Sequence, residues 1–79
     1  NESNNIYKHH TNWRLRALQS LDSLQNKKNL HYAVTYTLAK KDSLVLKERF
    51  LELIQNNLKL IEPSPEEVMY CNVIDFFEV

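Results

Sequence analysis

The sequence contains no glycine, and this absence excludes several kinds of catalytic and nucleotide-binding site. P-loops and dinucleotide-binding fingerprints need glycine where the backbone approaches phosphate, and a G-x-S-x-G nucleophile elbow needs it at a sharp turn. Two-residue β-hairpins also favour glycine. We therefore expect few tight hairpins and no site of these three classes.

Cysteine and long apolar runs are scarce as well. The single cysteine, Cys71, has no partner for an intramolecular disulfide and cannot build a cysteine zinc cluster. The apolar runs are short, whereas a membrane-spanning helix needs roughly 20 apolar residues. No signal-peptide pattern lies near the start of the chain. The sequence therefore predicts a cytoplasmic protein with no membrane segment.

Neither sign of charge is in excess. Lys and Arg number 10, Asp and Glu number 10, and the net charge is +0, whereas surfaces that bind nucleic acids are usually basic. We interpret basic side chains such as Arg14, Arg16 and Lys27 as solvated surface, so direct DNA binding by this chain is not expected. The length predicts one small domain over 1–79. The start at Asn1, rather than at a methionine, predicts a fragment of a longer protein.

The first segment with helical spacing covers residues 6–25 and follows a polar stretch, 1–5, that we expect to be frayed. Its apolar residues recur every three or four positions, with Arg14 on the opposite, polar face, as in an amphipathic helix. The apolar positions are Ile6, Trp13, Ala17, Leu18, Leu21 and Leu24.

A second helix is predicted over 43–61. Asp42 or Ser43 suits its N-cap, because either side chain can accept a hydrogen bond from a free helical N–H. Pro63 and Pro65 end it, since proline cannot continue a helix. Its apolar stripe consists of Leu46, Phe50, Leu53, Ile54, Leu60 and Ile61.

Two further segments favour β-strands. Residues 30–39 alternate between large apolar and smaller side chains, which is the period of a strand with one apolar face. Residues 67–78 fit either a strand or a helix that starts near Glu66 and Glu67. We favour the strand because Val, Tyr, Ile and Phe are enriched in strands and both faces are apolar, as in a buried strand.

These elements predict an α+β fold with the order helix–strand–helix–strand, a small βαβ-like domain. Two strands leave exposed edges and one uncovered apolar face, so we expect a second copy of the chain to complete the sheet in a homodimer. The segment 67–78 lies at the centre of this predicted interface. Its interface residues are Met69, Cys71, Asn72, Val73, Asp75 and Phe77.

Three segments carry a resemblance to a known family: residues 30–38 (LHYAVTYTL), the charged helix that opens at Asp42, and residues 67–77 (EVMYCNVIDFF). Together they resemble the C-terminal end of a family of bacterial helix-turn-helix transcriptional regulators. The resemblance implies a non-enzymatic regulatory or dimerisation domain, with DNA bound only by a separate domain outside this chain and with an unidentified effector. An all-helical structure over 67–78 would remove the basis of the resemblance and of the strand-mediated dimer.

The sequence gives little support for a catalytic or metal-binding site. Cys71 with His31 as its base is a conceivable nucleophile, yet no helix N-terminus or cationic cluster accompanies the thiol, and a core cysteine is the favoured interpretation. His9 and His10 are adjacent and point about 100° apart on a helix, so they cannot chelate one ion together. The sequence therefore predicts no enzyme, no metal site and no cofactor. The carboxylates without a suggested catalytic partner are Glu66, Glu67, Asp75 and Glu78.

The aromatic residues support an alternative function. Tyr32, Tyr36, Tyr70 and Phe50 would line a small-molecule pocket in a sensor module, although aromatic residues at this spacing are more typical of core packing. A further alternative is a stand-alone adaptor that binds another protein by strand addition.

Overall fold

The structure, a computed structural model, describes residues 2–22 and 26–79, and over these residues its regular elements are helical. Helix α1 spans Glu2–Ser20, a short 3-10 helix spans Asn26–Lys28, and helix α2 spans Lys40–Ile61. The described residues contain no β-strand. The α+β prediction is therefore wrong, and the fold of the described chain is all-helical.

Helix α1 is displaced toward the N-terminus relative to the predicted bounds of 6–25. It begins at Glu2, within the stretch 1–5 that we expected to be frayed, and ends at Ser20. The Ser20 hydroxyl donates a hydrogen bond of 2.6 Å to a carbonyl of the last turn. Such a side-chain bond competes with the helical backbone bonds and is common at helix ends. Residues 23–25 of the predicted helix lie outside the described residues.

Helix α2 begins three residues before its predicted start. Ala39 is the N-cap, with an extended backbone (φ −66°, ψ 148°) and no side-chain cap bond. The expected caps, Asp42 and Ser43, lie inside the first turn, where the Ser43 hydroxyl donates to the Lys40 carbonyl over 2.6 Å. The Asp42 carboxylate still favours the helix start, because a negative charge there interacts well with the helix dipole.

The end of α2 coincides with the proline-containing segment. The Glu62 N–H donates to the Leu58 carbonyl over 2.9 Å, and the Ser64 N–H donates to the Ile61 carbonyl over 3.1 Å. Pro63 and Pro65 have no N–H to extend this pattern. No described residue has a positive φ, in keeping with a sequence that lacks glycine.

The strands predicted over 30–39 and 67–78 are not formed. Within the described ranges, no backbone hydrogen bond joins residues 30–38 or 65–79 to another segment. The preference of a sequence for strand depends on cross-strand neighbours, so an alternating pattern without a paired segment does not produce a ladder. This correction removes the predicted sheet and its completion by a second copy of the chain.

The chain divides into two units, and neither has a buried core among the described residues. One unit combines α1 with residues 70–75, and the other combines α2 with residues 76–79. No described side chain is buried, apolar or polar. The half-buried residues are Thr11, Trp13, Arg14, Ala17, Ser20, Ser43, Leu46, Phe50, Val73 and Ile74.

Candidate functional site

The apolar side chains of α2 cover more of the helix than the predicted stripe. One set lies around Phe50 and includes Leu46, Leu53 and Leu60. A second set, which we call the leucine line, consists of Leu44, Leu51 and Leu58, spaced seven residues apart. Because seven residues are nearly two helical turns, these three leucines lie on one side of α2.

The set around Phe50 is partly covered by the end of the chain. The Phe50 and Phe76 rings lie with their centroids 5.6 Å apart and their planes tilted by 46°. This geometry falls within the range of favourable aromatic pairs, which prefer offset or tilted arrangements. The contact fixes residue 76 against α2.

The leucine line stays exposed. All three of its leucines are exposed, and so are Ile54 and Ile61, which follow Leu51 and Leu58 by three residues. Residues three apart are neighbours on a helix surface. Leu51, Ile54, Leu58 and Ile61 therefore form one contiguous apolar surface on α2. Leu44 extends the leucine line by one repeat toward the start of the helix, beyond Lys47, and we take these five side chains together as the candidate functional site.

In the first unit, Arg14 of α1 forms an ion pair with Asp75. The Arg14 Nε–H donates to Asp75 Oδ2 over 2.6 Å, and an Nη2–H of the same guanidinium donates to Asp75 Oδ1. The remaining Nη1 donates to the His10 carbonyl over 3.0 Å and lies 3.1 Å from His10 Nδ1. Two parallel hydrogen bonds to one carboxylate give a strongly directional contact.

The Arg14–Asp75 pair changes the acidity of both groups. Hydrogen bonds from Arg14 are the main cause that lowers the pKa of Asp75 below its ordinary value. Partial burial opposes them, and the positive charge of Arg14 lowers the pKa further. The same hydrogen bonds raise the pKa of Arg14. Both groups are therefore charged at neutral pH, and the pair ties α1 to the segment 70–75.

The six predicted interface residues have different surroundings. Val73 is half-buried and Asp75 binds Arg14, both within the first unit. Met69, Cys71, Asn72 and Phe77 are exposed. Their role in a dimer stays a prediction.

The predicted ligand pocket is distributed over both units. Tyr32 and Tyr70 belong to the first unit and are 85% and 87% exposed, so the protein encloses neither ring. Tyr36 and Phe50 belong to the second unit, where Phe50 contacts Phe76.

A hollow on α1 lies beside Trp13 and is lined by residues of that helix alone, among them His9 and Arg16. The His9 ring meets Trp13 nearly edge-on, with centroids 6.3 Å apart. Among residues 2–22 and 26–79, no three His, Cys, Asp or Glu side chains lie close enough together to bind a metal ion. Neither described α-helix combines the length and the apolar character needed to cross a membrane.

No protein-family model, curated protein or solved structure matches this chain. Function is therefore argued from the side chains and from the elements that hold them.

Sequence reasoning missed two features of this arrangement. The sequence predicts a solvated Arg14, and the opposite charge of Asp75, 61 positions away, is its only signal of an ion pair. The predicted stripe of α2 does not include the leucine line, although its spacing of seven is visible in the sequence. A search for a period of seven, in addition to three or four, would have found it.

Proposed function

We propose that this chain is a non-enzymatic dimerisation module that associates with a second copy of itself. One observation carries the proposal: no described side chain is buried, while a contiguous apolar surface on α2 is exposed. Monomeric soluble proteins rarely expose such a surface unless it binds a partner.

The energetics of folding favour a partner. Ordering one residue costs about 1–2 kcal/mol of backbone entropy, and burial of apolar area, at about 25 cal/mol per Å², is the main compensation. A helix as long as α2 gains most of its stability from packing of its apolar face rather than from its intrinsic propensity. Because this face lacks cover, association supplies the missing burial and stabilises the folded chain by mass action.

The resemblance to bacterial regulators suggests a biological setting for such a module. In a longer protein, a dimerising C-terminal domain would hold two DNA-binding domains at a fixed spacing, which sets the distance between half-sites. The support for this setting is the residue pattern of 30–38, of the charged helix that opens at Asp42, and of 67–77. A longer protein that binds palindromic DNA equally well after residues 40–61 are replaced by a Gly/Ser linker would contradict it.

Neither alternative function has a specific observation in its favour. A sensor needs an enclosed ligand, and Tyr32 and Tyr70 are nearly fully exposed. An adaptor that binds by strand addition needs a formed edge strand, and the described residues contain none.

Sedimentation equilibrium of the 79-residue chain tests the proposal. We expect the apparent mass to rise from 9.4 kDa toward twice that value as the concentration rises through the micromolar range. Far-UV circular dichroism at the same concentrations is expected to show helicity rising with the dimer fraction. A monomer at every accessible concentration would overturn the proposal.

A further inference from the structure

We infer that the dimer forms by antiparallel pairing of α2 with α2 of a second copy, along the leucine line. The inference rests on the proposed function and specifies its partner surface and geometry. Such pairing requires an exposed, continuous surface whose residues repeat with a helical spacing. The surface must also match a second copy of itself that runs in the opposite direction.

The period of the surface is that of a coiled coil. The leucine line provides one position of a heptad repeat, and residues three further on provide the second, which is apolar only in its last two members, as in the a and d positions of paired helices. This second line consists of Lys40, Lys47, Ile54 and Ile61, again spaced by seven. Apolar residues spaced by seven stay on the side of a helix that faces a second helix packed alongside it. The partner that fits this surface is therefore a helix.

The two lysines of the second line decide the direction. In a parallel pair, Lys47 would face Lys47 of the partner and Lys40 would face Lys40 of the partner, which places like charges at the centre of the interface. In an antiparallel pair, Leu51 lies opposite the partner's Ile54, and Leu44 lies opposite the partner's Ile61. Lys47 then lies opposite the partner's Leu58, where its stem covers apolar surface and its ammonium reaches water.

Charge at the two ends of α2 makes the surface self-complementary. The first half, residues 40–50, holds Lys40, Lys41, Lys47 and Arg49 against Asp42 and Glu48. The second half has no excess of cations and is followed by Glu62. Antiparallel pairing sets the cationic start of each helix beside the carbonyl end of the other, where positive charge is favourable. A second copy of this chain therefore suits the surface on both apolar and charge grounds.

A pair of lysine substitutions tests the surface. Leu51 lies on the leucine line and is 44% exposed, whereas Val45 lies on the other side of α2 and is 49% exposed. We expect Leu51→Lys to raise the dimer dissociation constant by at least about tenfold, because a charge replaces an apolar contact at the interface centre. Val45→Lys, the matched control, is expected to change it less than about threefold. Circular dichroism at high concentration shows whether each variant remains helical.

Disulfide trapping tests the direction and needs no charge substitution. In a Cys71→Ser background, the single variants Leu44→Cys and Ile61→Cys are mixed, one carrying an affinity tag, and oxidised mildly. Antiparallel pairing predicts disulfides between the two variants and few within either variant, because a disulfide requires Cα atoms roughly 4–7 Å apart. Parallel pairing predicts the reverse.

The outcomes separate this inference from the proposed function. A dimer weakened only by Leu51→Lys and trapped as the mixed disulfide supports the inference. A dimer that Leu51→Lys leaves intact, or one trapped as same-variant disulfides, overturns it and leaves the dimerisation proposal standing. A chain that stays monomeric overturns both.

Discussion

At the scale of single residues, Arg14 is the most fully bonded side chain described. Its guanidinium donates hydrogen bonds to the Asp75 carboxylate and to the His10 carbonyl, so one side chain connects residues 10, 14 and 75. Sequence alone classed it as surface, because a pair between residues far apart in the chain leaves no periodic signal.

The Arg14–Asp75 pair predicts a pH dependence. Because the hydrogen bonds lower the pKa of Asp75, the pair adds stability above the unfolded value of about 3.9, and that stability is lost as the pH falls through the lower folded value. Carbon-13 NMR of the Asp75 carboxyl is expected to give a midpoint below about 3.9. Arg14→Gln should return it toward that value, whereas Arg16→Gln, two residues along α1, should not. An unchanged midpoint in Arg14→Gln would refute the pair.

Phe76 and Phe77 are adjacent, and comparing their substitutions tests the contact between Phe76 and Phe50 of α2. Phe76 packs against Phe50 in a tilted pair, whereas Phe77 is largely exposed. Phe76→Ala is expected to lower the free energy of unfolding by about 1–2 kcal/mol, since it removes an aromatic pair and apolar area. Phe77→Ala is expected to lower it by less than about 0.5 kcal/mol. Urea unfolding at one fixed chain concentration measures both, and a larger loss in the Phe77 variant would contradict the contact.

At the scale of elements, α2 starts without a side-chain cap. Ala39 occupies the N-cap with suitable backbone angles but no oxygen to accept a free N–H. Ala39→Asp is expected to stabilise the chain by about 1 kcal/mol. Thr37→Asp adds the same charge two residues before the N-cap, where the side chain is not in the capping position. It therefore measures the effect of the charge on the helix dipole without the cap hydrogen bond. Equal effects of the two substitutions in thermal unfolding would show that no cap bond forms.

The helices were more predictable from sequence than the rest of the fold. The apolar spacing and the prolines after residue 61 are local signals, so they locate α2 within a few residues. The strand predictions were wrong because the alternation in 30–39 and 67–78 indicates only a preference for extended backbone. A strand forms from such a segment only when a neighbouring strand pairs with it. For the candidate site, the predicted stripe includes Ile54 and Ile61 but not the leucine line. The contacts of Phe50 with Phe76 and of Asp75 with Arg14 depend on the tertiary arrangement and leave no local signal.

At the scale of the whole molecule, stability is expected to depend on chain concentration. No side chain whose burial the structure describes is buried, and the proposed dimer would supply the missing apolar burial. Each tenfold rise in concentration should add about 1.4 kcal/mol to the free energy of unfolding of the dimer. Chemical denaturation at several concentrations measures this effect, with Leu51→Lys as the variant in which it weakens. A midpoint independent of concentration would contradict a dimeric folding unit.

The Arg14–Asp75 pair has a further consequence for the order of folding. It closes a loop between residues 61 positions apart, and the chain entropy lost in closing a loop grows with its length. A partly exposed ion pair contributes too little to close such a loop alone. Phe76, the next residue after Asp75, already closes a shorter loop through Phe50. We therefore expect the pair to form late in folding. Asp75→Asn is then expected to speed unfolding in stopped-flow experiments while leaving the refolding rate nearly unchanged.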